Sequence, residues 1–162
     1  MPDNIGTARE RWGSVGELIE RWLRERQDLI VQYCGLSGVS AMNDTVVVKR
    51  RLEYLCEILV DYVSAGHFEV YEKLIQEARE YDDGGLELAS KIYPRISAST
   101  EHALAFNDRF DATKASNAEL SEVEVKGLHK RLSELGEVLE ERFELEDLLI
   151  ESLHTVHAEK VA

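Results

Sequence analysis

Cysteine and proline are scarce in this 162-residue chain, with two of each. Cys34 and Cys56 make no disulfide framework and form no CxxC pair, which fits a reducing cytosol. Pro2 and Pro94, without any Ser/Gly-rich linker, mark no domain boundary, so one domain over 1–162 is expected. No apolar run approaches the roughly 18 residues that a bilayer span requires. Met1 to Thr7 lacks the basic and apolar regions of a secretory signal, so the expected location is cytoplasmic. Basic residues are also few: 19 Lys and Arg stand against 32 Asp and Glu, for a net charge of −13. That balance argues against direct binding to nucleic acid or anionic lipid. It suits a basic protein partner, although acidity for solubility alone reads the same way. There is no Gly-rich phosphate loop and no reactive-thiol motif.

What the chain does have is helical periodicity, with apolar residues recurring at three- and four-residue spacings. Thr7-Ala8-Arg9-Glu10 reads as a capping box opening a first helix over about 8–34, which Gly35 and Gly38 should stop. Its stripe is Trp12, Val15, Leu18, Ile19, Trp22, Leu23, Leu29, Ile30 and Tyr33. A second helix over about 45–80 carries Val48, Leu52, Leu55, Cys56, Leu59, Val63, Val70 and Leu74. It should end at Asp82-Asp83-Gly84-Gly85. A third over about 86–111 contains Pro94 and should bend there. A fourth over about 117–157 begins at Ser116-Asn117-Ala118-Glu119, with Ser121-Glu122-Val123-Glu124 as a rival start. Long amphipathic helices on short connections imply an all-α, antiparallel up-down four-helix bundle. The β-like run Val46-Val47-Val48 is too brief to oppose that.

The second helix has two faces. At about 100° per residue, Leu52, Leu59, Val63, Val70 and Leu74 cluster on one side. Asp61, Ser64, Ala65, Phe68 and Glu72 cluster on the opposite side, joined by Tyr54 and Ile58. Either Phe68 is covered by a neighbouring helix, or it is an exposed anchor beside Asp61, Ser64 and Glu72 at a protein interface. Gly66 is costly in mid-helix, which suggests a close crossing or a kink. His67 lies at the edge of the core stripe and is expected to be buried and hydrogen-bonded.

Polar residues interrupt the core stripes at Arg26, Thr100, Arg142 and Glu146. Buried charges need partners, so Arg26 or Arg142 should pair with Glu146 in a structural network that also takes in His67. Two-metal bundles use paired Glu-x-x-His motifs, and only Glu151-Ser152-Leu153-His154 fits here, with His157 following. A hemerythrin- or ferritin-like metal sensor is therefore the rival reading, and no cofactor or enzymatic activity is expected. The acidic run from Glu134 to Glu151 reads as a mostly solvated helix face.

Several segments together resemble one known family. They are Glu10-Arg11-Trp12-Gly13, the stretch from Leu18 to Arg26, Leu59 to Glu72 with its Ser64-Ala65-Gly66-His67-Phe68 core, Ile92-Tyr93-Pro94-Arg95, and Gly136 to Asp147. In this order they are similar to the Rsd/AlgQ family of anti-sigma factors. Ala103-Leu104-Ala105-Phe106-Asn107-Asp108 is closer to the AlgQ branch. The resemblance implies a four-helix bundle that binds the primary sigma factor, chiefly through its C-terminal −35-recognition region, and withholds it from core RNA polymerase. It also implies that Asp61, Ser64 and Phe68 belong to the conserved partner surface, on a protein that is a monomer when free.

Overall fold

The structure is a computed structural model that describes residues 7–37, 45–115 and 122–161. It is all-helical, with no strand among the described residues. In chain order the helices are α1 (Ala8–Ser37), α2 (Thr45–Ala65), α3 (Tyr71–Tyr81), α4 (Gly85–Ala115) and α5 (Glu122–Leu153). A single π turn, Gly66–Val70, joins α2 directly to α3, and a 3-10 turn, Thr155–His157, comes after α5. No helix is long and apolar enough to cross a membrane among the described residues.

Local chemistry explains most of the boundaries. Thr7 Oγ1 accepts the Glu10 amide at 3.1 Å, satisfying a donor that the first turn of α1 would otherwise leave free. At its other end α1 does not stop at Gly35 but runs on to Ser37. Leu36 is fully buried there, and the Arg51 guanidinium donates to the Gly35 carbonyl at 3.4 Å. Burial and a borrowed donor thus outweigh the helix-stopping tendency of glycine; Gly38 lies outside the described residues. α3 ends at Asp82, whose φ of 44° is left-handed and whose amide bonds back to Ala78 O. Gly84 comes next but one, with φ of 94°, a conformation that suits glycine. Both candidate starts of the fourth long segment, Ser116 and Ser121, lie outside the described residues. Its far end is shorter than the periodicity predicts: the α-helix stops at Leu153, and the buried His154 and His157 that follow turn to Glu77 and Asp83.

The core forms where the stripes meet. α1 contributes Ile19, Trp22, Leu29 and Leu36, and α2 contributes Val48, Leu52, Leu55, Cys56, Leu59, Tyr62 and Val63. Val70, Tyr71, Leu74 and Ala78 continue that wall through the π turn and α3. α4 adds Ile92, Ile96, Ala103, Phe106 and Phe110, and α5 adds Leu128, Leu132, Leu135, Leu139, Leu145, Leu149 and Leu153. α1 packs mainly on α2, α4 on α5, and α2 on α4. Tyr33 OH donates to Leu132 O at 2.6 Å, and Trp12 Nε1 donates to His154 O at 2.9 Å.

Candidate partner-binding face

The end of α2 and the π turn carry the residues that the sequence places opposite the core. Asp61 and Glu72 are exposed and Ser64 is half-buried. Phe68 is 70% exposed, the most open of the large apolar side chains described. Of the two sequence readings of this ring, the chain by itself takes the exposed one. Tyr54 is also exposed and Ile58 half-buried, so apolar surface continues one to two turns earlier. Beside Asp61, a groove of about 360 Å³ runs between α2 and α4, lined by Glu53, Cys56, Glu57, Val60, Asp61, Asn107 and Phe110. On the α1 side, partial burial together with Glu69 and Asp61 raises the Glu25 carboxyl above its usual range, with Arg21 opposing. Acidic side chains thus gather around Asp61, with Glu53 and Glu57 in the groove and Glu25 and Glu69 on the α1 side.

The π turn explains the presence of glycine at position 66. A Cβ on Gly66 would lie 2.9 Å from the Trp22 ring and 3.3 Å from Tyr71. Trp22 fills that notch: it stacks on Tyr62 at 4.9 Å, meets Tyr71 edge-on at 5.8 Å, and donates its indole N–H to Tyr62 O at 3.1 Å. The Tyr71 amide bonds to Gly66 O, five residues back, which is the wider turn itself. Straight-helix extrapolation fails past this point. One added residue offsets the downstream helix by about 100°, so Glu72 moves from the angular position of Asp61 toward that of Ser64 relative to a straight helix.

Behind this face lies a polar knot centred on Glu146, which like Arg142 is 0% exposed. Tyr62 OH donates to Glu146 Oε1 and Tyr71 OH to Oε2, both at 2.5 Å. Each hydroxyl also accepts from an arginine: Arg26 Nε to Tyr62 at 3.0 Å, and Arg142 Nη2 to Tyr71 at 2.9 Å. The same arginines reach the carboxylate directly, Arg142 Nε at 3.2 Å and Arg26 Nη2 at 3.4 Å. Arg26 extends to Asp147 at 2.5 Å on the surface. Arg142 Nη1 is taken up by Ser99 Oγ, Thr100 Oγ1 and Ile96 O at 2.9, 2.6 and 3.3 Å. Two cations and two carboxylates balance, and every long helical segment supplies a member.

The knot is built to hold rather than to react. Burial, with the Glu146 charge alongside, pushes both tyrosine hydroxyls far above their ordinary range, so they stay protonated donors. Burial likewise raises the Glu146 carboxyl, opposed by Arg142 and the two hydroxyls. For Arg26, burial is outweighed by Tyr62, Asp147 and Glu146, which favour its charged form. Both arginines singled out by sequence thus meet Glu146. His67 does not join them, and the burial expected of it is not found. It is exposed, bonds Tyr93 OH through Nδ1 at 3.0 Å, and lies edge-on to Phe68 at 4.9 Å.

A second buried cluster has no counterpart in the sequence reading. His154 Nδ1 lies 2.8 Å from Glu77 Oε1, and its ring stacks under Trp12 at 4.4 Å. His157 Nε2 meets Asp83 at 2.8 Å, while its buried Nδ1 has no hydrogen-bond partner and lies 3.8 Å from Glu77. The histidine of the lone Glu-x-x-His motif is therefore engaged by α3. Among the described residues no group of three or more His, Cys, Asp or Glu is arranged to hold a metal ion. The signal available in sequence is Glu77, an acid one turn beyond Leu74 on the buried side of α3.

Comparison with known proteins gives a consistent result. The family profile described as "Regulator of RNA polymerase sigma(70) subunit, Rsd/AlgQ" matches residues 1–154. A protein named "Regulator of sigma D" from Yersinia enterocolitica is 33% identical over 153 residues, covering 93% of this chain and 89% of the relative. Its namesake from an Enterobacter strain is 35% identical over 152 residues, covering 93% and 88%. No solved structure gives a significant match.

Proposed function

This chain belongs to the Rsd/AlgQ family of regulators of the RNA polymerase sigma(70) subunit, and from that premise we propose that it is an anti-sigma factor. It binds the primary sigma factor, chiefly the C-terminal region that reads the −35 element, and keeps it from core polymerase. The observation that carries this reading is Phe68, an aromatic ring left in solvent behind a helix whose other side is core. A promoter-reading region must be basic to meet phosphates. The net charge of −13 steers such a partner inward, and Asp61, Ser64 and Phe68 supply the short-range grip.

The same reading makes the chain a single-domain, cytoplasmic binding protein rather than an enzyme, monomeric when free. Its long segments run up and down, with α4 bent at Pro94. The meeting of the start of α1 with the end of α5, and of Tyr33 with Leu132, supports the antiparallel arrangement. The decisive variant is Phe68→Ala. Binding to the C-terminal sigma region should weaken by about 2 kcal/mol, while helicity and melting stay close to the parent. Calorimetric titration beside circular dichroism checks both. Unchanged affinity in the folded variant removes Phe68 from the interface.

A further inference from the structure

Tyr62 and Tyr71 are nine residues apart, which in an uninterrupted α-helix would put them about 180° from each other. In this molecule their hydroxyls grip the two oxygens of one carboxylate. The π turn between them makes that possible, because its extra residue brings their angular separation down to about 80°, that of residues eight apart. Phe68 is the middle residue of that turn. A run of rings connects it inward: His67 lies against Phe68, Tyr93 bonds His67, and Tyr93 meets Tyr71 edge-on at 6.3 Å.

We infer that Glu146 is a positioning residue for the partner face, holding the π turn open through Tyr62 and Tyr71 so that Phe68 is presented to solvent. The chemistry of the knot supports the assignment. A carboxylate accepts from both phenols at once, whereas the amide in a Glu146→Gln variant would accept from one and turn a donor toward the other. Gly66 makes the turn sterically possible, since its missing Cβ admits Trp22 and Tyr71. Glu146 is fully buried and out of a partner's reach, so its effect on binding is indirect, and the coupling of Tyr71 to Phe68 is what distinguishes the turn from the Arg26–Asp147 route.

The inference rests on the Phe68 interface, and the test separates the two. The full-length parent, Phe68→Ala, Tyr71→Phe, Glu146→Gln and the double variant Phe68→Ala/Tyr71→Phe are titrated with the C-terminal sigma region. All are held at a temperature where circular dichroism shows each folded. Tyr71→Phe and Glu146→Gln should weaken binding by roughly two- to thirty-fold. That loss should vanish in the Phe68→Ala background, the signature of two residues acting through one contact. Backbone amide exchange at Tyr71 should quicken in Glu146→Gln. Tyr71→Phe keeps its ring and carries the test if Glu146→Gln does not fold. Parental affinity in Tyr71→Phe, or a loss that simply adds to that of Phe68→Ala, overturns the positioning role and leaves the interface standing. Parental affinity in Phe68→Ala overturns both.

Discussion

The middle of the molecule and its carboxy-terminal end both bury charged side chains, but only the middle satisfies them all. Around Glu146, each carboxylate oxygen has a phenol and an arginine, and Arg142 distributes its donors over three helical segments. Around Glu77, two histidines compete for one carboxylate, and the Nδ1 of a fully buried His157 is left without a partner. Complete satisfaction makes the first cluster a rigid joint. Incomplete satisfaction makes the second worth less to the fold.

The contrast can be broken from the strong side first. Arg142→Ala would leave Glu146 facing Arg26 alone and strip donors from Tyr71, Ser99 and Thr100. Unfolding in urea, tracked by circular dichroism, should show a loss of about 3–5 kcal/mol. Glu77→Ala removes the shared acceptor at the weaker end and strands the ring nitrogen of His154. The same measurement should give a smaller loss, about 1–3 kcal/mol. Equal losses would erase the distinction between the clusters.

The smallest effect concerns acid. The bond to His157, with Lys160 nearby, holds the Asp83 carboxyl below its usual range, against the slight effect of burial. A depressed carboxyl adds stability that is present above its unfolded value and lost as pH falls through the folded one. The acid limb of melting temperature against pH should therefore be flatter in Asp83→Asn, in the window at and below about pH 4. Glu146 has the opposite sign, since its raised carboxyl favours the protonated folded form, so its contribution declines as pH rises above the ordinary carboxylate range.

Much of this is legible in the chain. Three- and four-residue spacing identifies Leu52, Leu59, Val63, Val70 and Leu74 as one buried line, and all five are core. Asp82 to Gly85 announces the break, and Gly66 announces something unusual in mid-helix. Arg26, Arg142 and Glu146 stand out as charges on apolar stripes. What periodicity does not supply is the partnership of Tyr62 with Tyr71, because a fixed 100° step puts them on opposite sides. A π turn has no pattern of its own; it shows only as a glycine where alanine would serve a plain helix better. His67 departs from expectation as well: it lies at the edge of the core stripe, and in the fold it is exposed and bonded to Tyr93. The Glu77 cluster joins residues more than seventy positions apart, beyond the reach of any local spacing.

The two tryptophans occupy quite different stations. Trp22 is wedged in the notch opposite Gly66, sealed from water, while Trp12 lies half-covered on His154 where the start of α1 meets the end of α5. The chain thereby contains two optical probes, one at the joint behind the exposed Phe68 ring and one at the seam between the start of α1 and the end of α5. A disturbance at either location has its own spectroscopic colour, with no label attached.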